Sequence, residues 1–328
     1  MQTVQVGITG RTTTQLGYGC SSLMGAMGRA ESLAVLEAAF EAGIRHFDVA
    51  PMYGYGQAEG VLGEFISRHS GEATVTTKYG IPPAARQGLI GIARSLARPV
   101  VRAVPGLKRG LTSAAVRVTG AGAKAAFTAA EARESLERSL RELKTGHIDV
   151  WLLHEATLAD LHDPALLSLM HESEQAGKIG TFGVGSGREE IDAIAAVSPE
   201  YLPVTQFAWS VLDAPLPPTK GMRILHRALT ENFRDLHRQL LADRARCNRW
   251  SSLTGADLAD ARVLGALMLK AALLENPSGI VLFSSKNPRH IHENVSTATN
   301  SSLEAPARKL YTLVQEERLA VTQERAAG

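Results

Sequence analysis

The chain has 328 residues, 45% hydrophobic and 21% charged, with 35 lysines and arginines against 33 aspartates and glutamates for a net charge of +2. That length and apolar content allow a large buried core and exclude a disordered chain, a coiled coil or a disulfide-stapled mini-domain. The near balance of charge gives no global attraction to nucleic acid, and the two cysteines, Cys20 and Cys247, form neither a disulfide framework nor a Cys-x-x-Cys metal motif.

Met1 to Arg11 has no basic start followed by an apolar stretch, so no secretory signal is expected. Val4 and Val6 alternate with polar residues up to Gly10-Arg11, a pattern for a small hairpin over Met1–Gln15 that could plug the bottom of a barrel. Gly17–Ser21 is a short first strand. Glu31–Glu41 has helical spacing of Leu33, Val35, Leu36 and Ala39 and is stopped by Gly43. Ile44–Val49 reads as a strand, Ala58–Arg68 as a helix and Thr74–Lys78 as a β-branched strand. The spacing then predicts a helix over Ala130–Leu143, a strand over Ile148–Leu153 and a helix over Ala165–Ala176 closed by Gly177. Further strands are expected at Ile179–Val184, Val204–Phe207, Arg223–Leu225 and Gly279–Phe283. Val263–Leu274 is the most apolar run; it is too short to span a bilayer and reads as a buried helix.

About eight strand–helix units at this spacing predict an α/β chain folded as a (β/α)8 TIM barrel, with no linker dividing residues 1–328 into two domains. A doubly wound open sheet is the alternative. It usually carries Gly-x-Gly-x-x-Gly after its first strand, whereas Gly17-Tyr18-Gly19 lacks the third glycine. One segment breaks the rhythm. Between Gly80 and Ala130 there is no acidic residue, while Arg86, Arg94, Arg98, Arg102, Lys108, Arg109, Arg117 and Lys124 all fall there. It reads as a long basic insertion after the third barrel strand: a lid over an anionic ligand, a docking surface, or a helical excursion packed on the rim.

Four polar residues stand at or just beyond strand ends: Asp48, Tyr53, Lys78 and His154. In a parallel barrel those ends converge on one rim, where active sites sit. The types are complementary. An ammonium lowers the pKa of a neighbouring phenol, a carboxylate keeps the ammonium charged and oriented, and an imidazole donates to a carbonyl oxygen. Such a set suits protonation of the alkoxide formed by hydride addition to a carbonyl, without a metal. Further along, Asn287 suits a helix N-cap and Pro288 the first helical position. The amides of that helix start, flanked by Ser284, Ser285, Lys286 and Arg289, form a candidate phosphate site.

The segments Gly43-Ile-Arg-His-Phe-Asp48-Val-Ala-Pro-Met-Tyr53-Gly54, Thr77-Lys78 and Ile148-Asp-Val-Trp-Leu-Leu-His154 make the sequence resemble an aldo-keto reductase of the bacterial, NADP(H)-dependent type. The resemblance runs from about Leu16 to Val295, interrupted by the basic insertion. It implies Tyr53 as general acid, Lys78 tuning it, Asp48 holding Lys78, and His154 orienting the carbonyl. It also implies NADP(H) as cofactor. The adenosine phosphate would lie near Lys286 and Arg289, with Asn294 at the adenine. Gln206 would bind the carboxamide, and His226, Arg227, Ala228 and Leu229 would wrap the nicotinamide and pyrophosphate. Gly19 and Cys20 would offer backbone contacts. The chain departs from the family at Gly183-Val184-Gly185-Ser186, where Gly-Val-Ser-Asn is usual: Gly185 lacks the hydroxyl, and Ser186 replaces the asparagine.

Three readings follow. The first is NADPH-dependent reduction of a small aldehyde or ketone. The second is the reverse oxidation by a sugar or alcohol dehydrogenase, and the third is a cofactor-binding regulatory or partner-docking protein. A cytoplasmic location is expected, with no nucleic acid partner and no membrane span. Trp209, Met52 and Tyr55 are candidates for apolar pocket walls. Specificity is expected from the insertion, from Leu212–Gly221 and from the tail after Ser301.

Overall fold

The computed structural model describes residues 1–7, 10–83 and 124–327, so most of the basic insertion, at 84–123, lies outside the described residues. Strand β1 (Thr3–Gln5) pairs antiparallel with β2 (Thr12–Thr14), with Val4 opposite Thr13. The next eight strands close into a parallel barrel: β3 (Leu16–Gly19), β4 (His46–Asp48), β5 (Thr74–Tyr79), β6 (Ile148–His154), β7 (Ile179–Gly185), β8 (Val204–Ala208), β9 (Met222–His226) and β10 (Ile280–Phe283). β10 pairs with both β9 and β3, which closes the ring and leaves no sheet edge.

The surrounding helices are α1 (Arg29–Glu41), α2 (Ala58–Arg68), α3 (Ala129–Glu142), α4 (Pro164–Gln175), α5 (Arg188–Val197), α6 (Glu231–Ala242), α7 (Arg244–Thr254), α8 (Ala261–Glu275), α9 (Pro288–Thr299) and α10 (Glu304–Ala327). Several begin where a side chain can satisfy an orphan amide. Asp163 accepts from the Ala165 N–H at 2.9 Å, Asp260 from Arg262 at 2.7 Å, and Asn287 from Arg289 at 3.0 Å with Pro288 in the first turn. The apolar run at Val263–Leu274 lies within α8, whose inner face is almost wholly buried. The tail after Ser301, expected to contribute to specificity, is not a loop. It continues as α10, burying Ala307, Leu310, Leu313 and Val314. That spacing is helical, and α8 supplies the apolar surface it packs against.

Two apolar layers result. The larger lies between strands and helices. The smaller fills the barrel interior with Val150, Leu152, Val204, Ile224, Ile280 and Leu282, and Val4 and Val6 of the hairpin belong to it. The hairpin is therefore the floor of the barrel, as its alternation suggested. Arg11 ties it to the wall through Asp149 at 3.0 Å. Where β7 passes β8 the backbones crowd: a Cβ at Gly183 would sit 1.8 Å from the Val204 carbonyl oxygen, so only glycine fits. No helix among the described residues is long and apolar enough to cross a membrane.

Candidate active site

The strand register sets the site. Asp48 is level with Gly19 on one side and Thr76 on the other, while His154 pairs with Gly185, and Gly185 with Gln206. Gly19, Asp48, His154 and Gly185 end their strands, so the site falls at the C-terminal rim, opposite the hairpin floor. The Lys78 ammonium donates to Asp48 Oδ1 at 2.6 Å and to the Val49 carbonyl at 3.0 Å. The Gln206 amide donates to Asp48 Oδ2 at 2.7 Å. Both carboxylate oxygens are thus engaged, in a pair whose side chains are only 2% and 5% exposed. Such a pair is tolerable in a low-dielectric interior because the charges are matched and further hydrogen bonds satisfy them.

Tyr53 opens a short 3-10 turn, Tyr53–Gly56, that follows β4. Its N–H donates to the Ala50 carbonyl at 3.0 Å, and Lys78 Nζ lies 5.6 Å from the centre of its ring. Lys78 is the largest influence on the phenol and pulls its pKa down. Burial, Asp48, Cys20 and Glu155 together outweigh that pull, so the phenol stays above its ordinary value. The expectation of a net lowering by the ammonium is therefore corrected: burial of the phenol, followed by the Asp48 charge, offsets the Lys78 field. Burial is the largest influence on Lys78 and acts to discharge it, but Asp48, with help from Tyr53, holds its pKa above the ordinary lysine value. Lys78 is thus a cation and Tyr53 an intact phenol at neutral pH.

His154 ends β6 half-buried. Burial, and then the Lys78 charge, push its pKa down to about 3, so the ring is neutral. Its Nδ1 is buried without a hydrogen-bond partner. His226, at the end of β9, is likewise pushed down to about 4, chiefly by burial. A neutral imidazole carries one N–H and can donate to an oxygen without first losing a proton.

These groups open into one cavity of about 470 Å³. Asp48, Tyr53, Lys78 and His154 line its base, as expected from their strand-end positions. Of the remaining predicted residues, Gly19, Ser186, Gln206 and His226 line it, and so do Arg227, Ala228, Leu229, Ser284 and Asn294. Gly19 has a steric reason, because a Cβ there would lie 2.8 Å from Ser284 Oγ, which donates to the Gly19 carbonyl at 2.6 Å. Four predicted residues are not brought to the lining. Cys20 is fully buried; its N–H donates to the Asp48 carbonyl at 2.8 Å and its own carbonyl accepts from Leu23 at 3.1 Å, so its backbone groups are already used. Ser285, Lys286 and Arg289 sit just outside, at the start of α9. There Arg289 is paired with Glu293 at 2.9 Å. Trp209 is core rather than wall, 1% exposed and donating to the Ala214 carbonyl, while Met52 and Tyr55 are exposed outside the cavity lining.

The cavity also takes in Ser21, Glu155, Thr230, Leu269, Leu282 and Phe283, which strand-end reasoning did not single out. Glu155 had a readable signal, since it directly follows His154 at a strand end. Leu269 had none, because it belongs to α8, distant in sequence.

The sequence model of the Aldo/keto reductase family matches residues 15–214, and the chain belongs to that family of oxidoreductases. A pyridoxal 4-dehydrogenase from Microbacterium luteolum is 45% identical over 78 residues, 23% of each chain. A D-threo-aldose 1-dehydrogenase from Pseudomonas sp is 46% identical over 69 residues, 20% of this chain and 21% of that protein. The chain therefore matches less than a quarter of the length of either. Among solved structures, a glycerol dehydrogenase from Gluconobacter oxydans superposes with a TM-score of 0.65 at 17% identity, covering 95% of this chain and 94% of that one. An aldo-keto reductase from Klebsiella pneumoniae in complex with NADPH gives 0.62 at 17% identity, covering 95% of both.

Proposed function

We propose that the protein is an NADP(H)-dependent oxidoreductase that reduces the carbonyl of a small aldehyde or ketone, with Tyr53 as general acid. The observation that carries this reading is the buried Lys78–Asp48 pair beside the Tyr53 ring and a neutral His154, at the base of one cleft.

The residues fit a dinucleotide. Gln206 spends its amide N–H on Asp48, which leaves its Oε1 for a carboxamide N–H. Ser186 offers a second polar contact, and Gly185 beside it leaves room where the family's usual serine would stand. The side-chain-free strand end at Gly19 and the capped start of α9, with Lys286 and Arg289 beside it, suit the phosphates. Asn294 on the same helix suits the adenine. When bound, the reduced cofactor supplies a hydride.

The chain's own groups handle the proton and the geometry. A neutral His154 donates to the carbonyl oxygen and fixes its direction. Tyr53 delivers its hydroxyl proton to that oxygen as negative charge develops. Lys78, kept cationic by Asp48, stabilises the phenolate left behind, so the ammonium acts most strongly when the phenol has given its proton. The raised phenol pKa is consistent with this role, since the group must hold its proton until hydride arrives. By microscopic reversibility the same residues serve the oxidation, and the named dehydrogenase relatives support that direction as the second reading.

The test is consumption of NADPH by the purified chain with a panel of small aldehydes. Tyr53→Phe should lower turnover about a hundredfold to ten-thousandfold, the range for a lost general acid, while NADPH affinity is kept. Full turnover in Tyr53→Phe removes Tyr53 from its role. Tight NADPH binding with no turnover of any carbonyl or alcohol favours a cofactor-binding regulatory protein instead.

A further inference from the structure

Glu155 is not needed for the proton chemistry, yet it lines the same cavity and acts electrostatically on the Tyr53 phenol. Its backbone is unusual. The residue sits at φ +57°, a left-handed conformation that a glycine or asparagine adopts more cheaply. Its N–H is locked onto the Gly185 carbonyl at 2.6 Å, so the corner after β6 is pinned to the neighbouring strand. A residue held there despite its side chain points to a use for that side chain.

The other charges of the cavity are already spoken for. Asp48 is engaged by Lys78 and Gln206, and Arg227 is paired with Glu231 at 2.8 Å. Glu155 is exposed, and among the described residues its carboxylate has no hydrogen-bond or ion-pair partner. An ionised carboxylate only accepts hydrogen bonds, and it repels another anion. The geometry points to Glu155 as a specificity-determining residue that accepts a hydrogen bond from a donor on the substrate beside the reacting carbonyl, favouring hydroxylated carbonyl compounds over plain or carboxylate-bearing ones. This rests on the proposed function and narrows its substrate class. A hydroxyl is the natural donor, because it meets the carboxylate without placing a second full charge next to Lys78.

The test compares glyceraldehyde with propanal, which has the same three-carbon chain without hydroxyls, and with glyoxylate, a carboxylate-bearing aldehyde. Each is assayed with NADPH on the full chain and on Glu155→Ala and Glu155→Gln. The ratio of kcat/KM for glyceraldehyde over propanal should fall about tenfold in Glu155→Ala, the size of one hydrogen bond to a charged acceptor, and the loss should sit in KM. Glu155→Gln keeps an acceptor oxygen, so it should retain part of that ratio while raising glyoxylate turnover relative to propanal. Ratios unchanged in both variants overturn the inference and leave the reductase reading standing. If the wild-type chain turns over none of the three and no other carbonyl or alcohol of the panel, the reductase reading fails instead. Saturation-transfer NMR with the same ligands then decides the role of Glu155: a glyceraldehyde signal lost in Glu155→Ala supports it, and an equal signal overturns it.

Discussion

Replacing Asp48 by asparagine isolates the electrostatic logic of the site, because it leaves the shape almost intact and removes one charge. Lys78 is 2% exposed and Asp48 supplies its only carboxylate contact among the described residues. Breaking a buried pair from one side typically costs about 3–5 kcal/mol, since the remaining charge is left without compensation. Asparagine also turns an N–H toward the Gln206 amide, where Asp48 now accepts. The sharper expectation concerns pH. In the wild-type chain the Lys78 pKa is raised by folding, so its contribution is fully present below the unfolded lysine value of about 10.4 and is lost only as pH rises through the higher folded value. This group therefore adds no slope between pH 7 and 9. In Asp48→Asn, burial prevails and the folded pKa drops below the unfolded one. The unfolded chain then binds more protons, so stability should climb with pH by up to about 1.4 kcal/mol per unit. Urea unfolding at pH 7, 8 and 9 reads the gap between the two proteins. It should be largest at pH 7 and narrow toward pH 9. A gap of constant size would refute the account of Lys78 as a buried cation held by Asp48.

Two further outcomes follow from the geometry. His154 should remain neutral down to well below pH 5, so the histidine proton resonance that disappears in His154→Gln should not titrate between pH 8 and 5; a midpoint near 6.5 would contradict the burial and Lys78 field assigned to it. Gly183→Ala should destabilise the barrel by about 1–3 kcal/mol or more, because the added methyl meets the Val204 carbonyl rather than a movable side chain, and thermal unfolding of the purified variant measures the loss.

The strand ends were legible because a parallel barrel repeats one local rule. Short β-branched or apolar runs end in a polar residue, and helices follow with caps such as Asp163 and Asn287. Those features depend on neighbours within a few residues, so Asp48, Lys78 and His154 could be placed on one rim from the chain alone. The hairpin floor was readable from the alternation of Val4 and Val6. The helix α10 in the tail after Ser301 was not legible in the sequence alone, since its apolar spacing acquires meaning only against α8.

What the amino-acid sequence determined by itself is the order of elements, the barrel class and the chemical types gathered at the rim. What tertiary structure decided is their state. Whether Lys78 lowers the Tyr53 pKa on balance depends on how deeply the phenol is buried and then on the Asp48 charge, which sits in a 2.6 Å contact with Lys78 from a strand 30 residues away. Whether Cys20 can offer its backbone depends on Asp48 and Leu23 having claimed it first. Glu155 lines the cavity, with no carboxylate partner among the described residues, at a corner whose N–H is bonded to the Gly185 carbonyl of β7. Electrostatic coupling and desolvation act through space over a few ångströms, and sequence spacing does not record those distances.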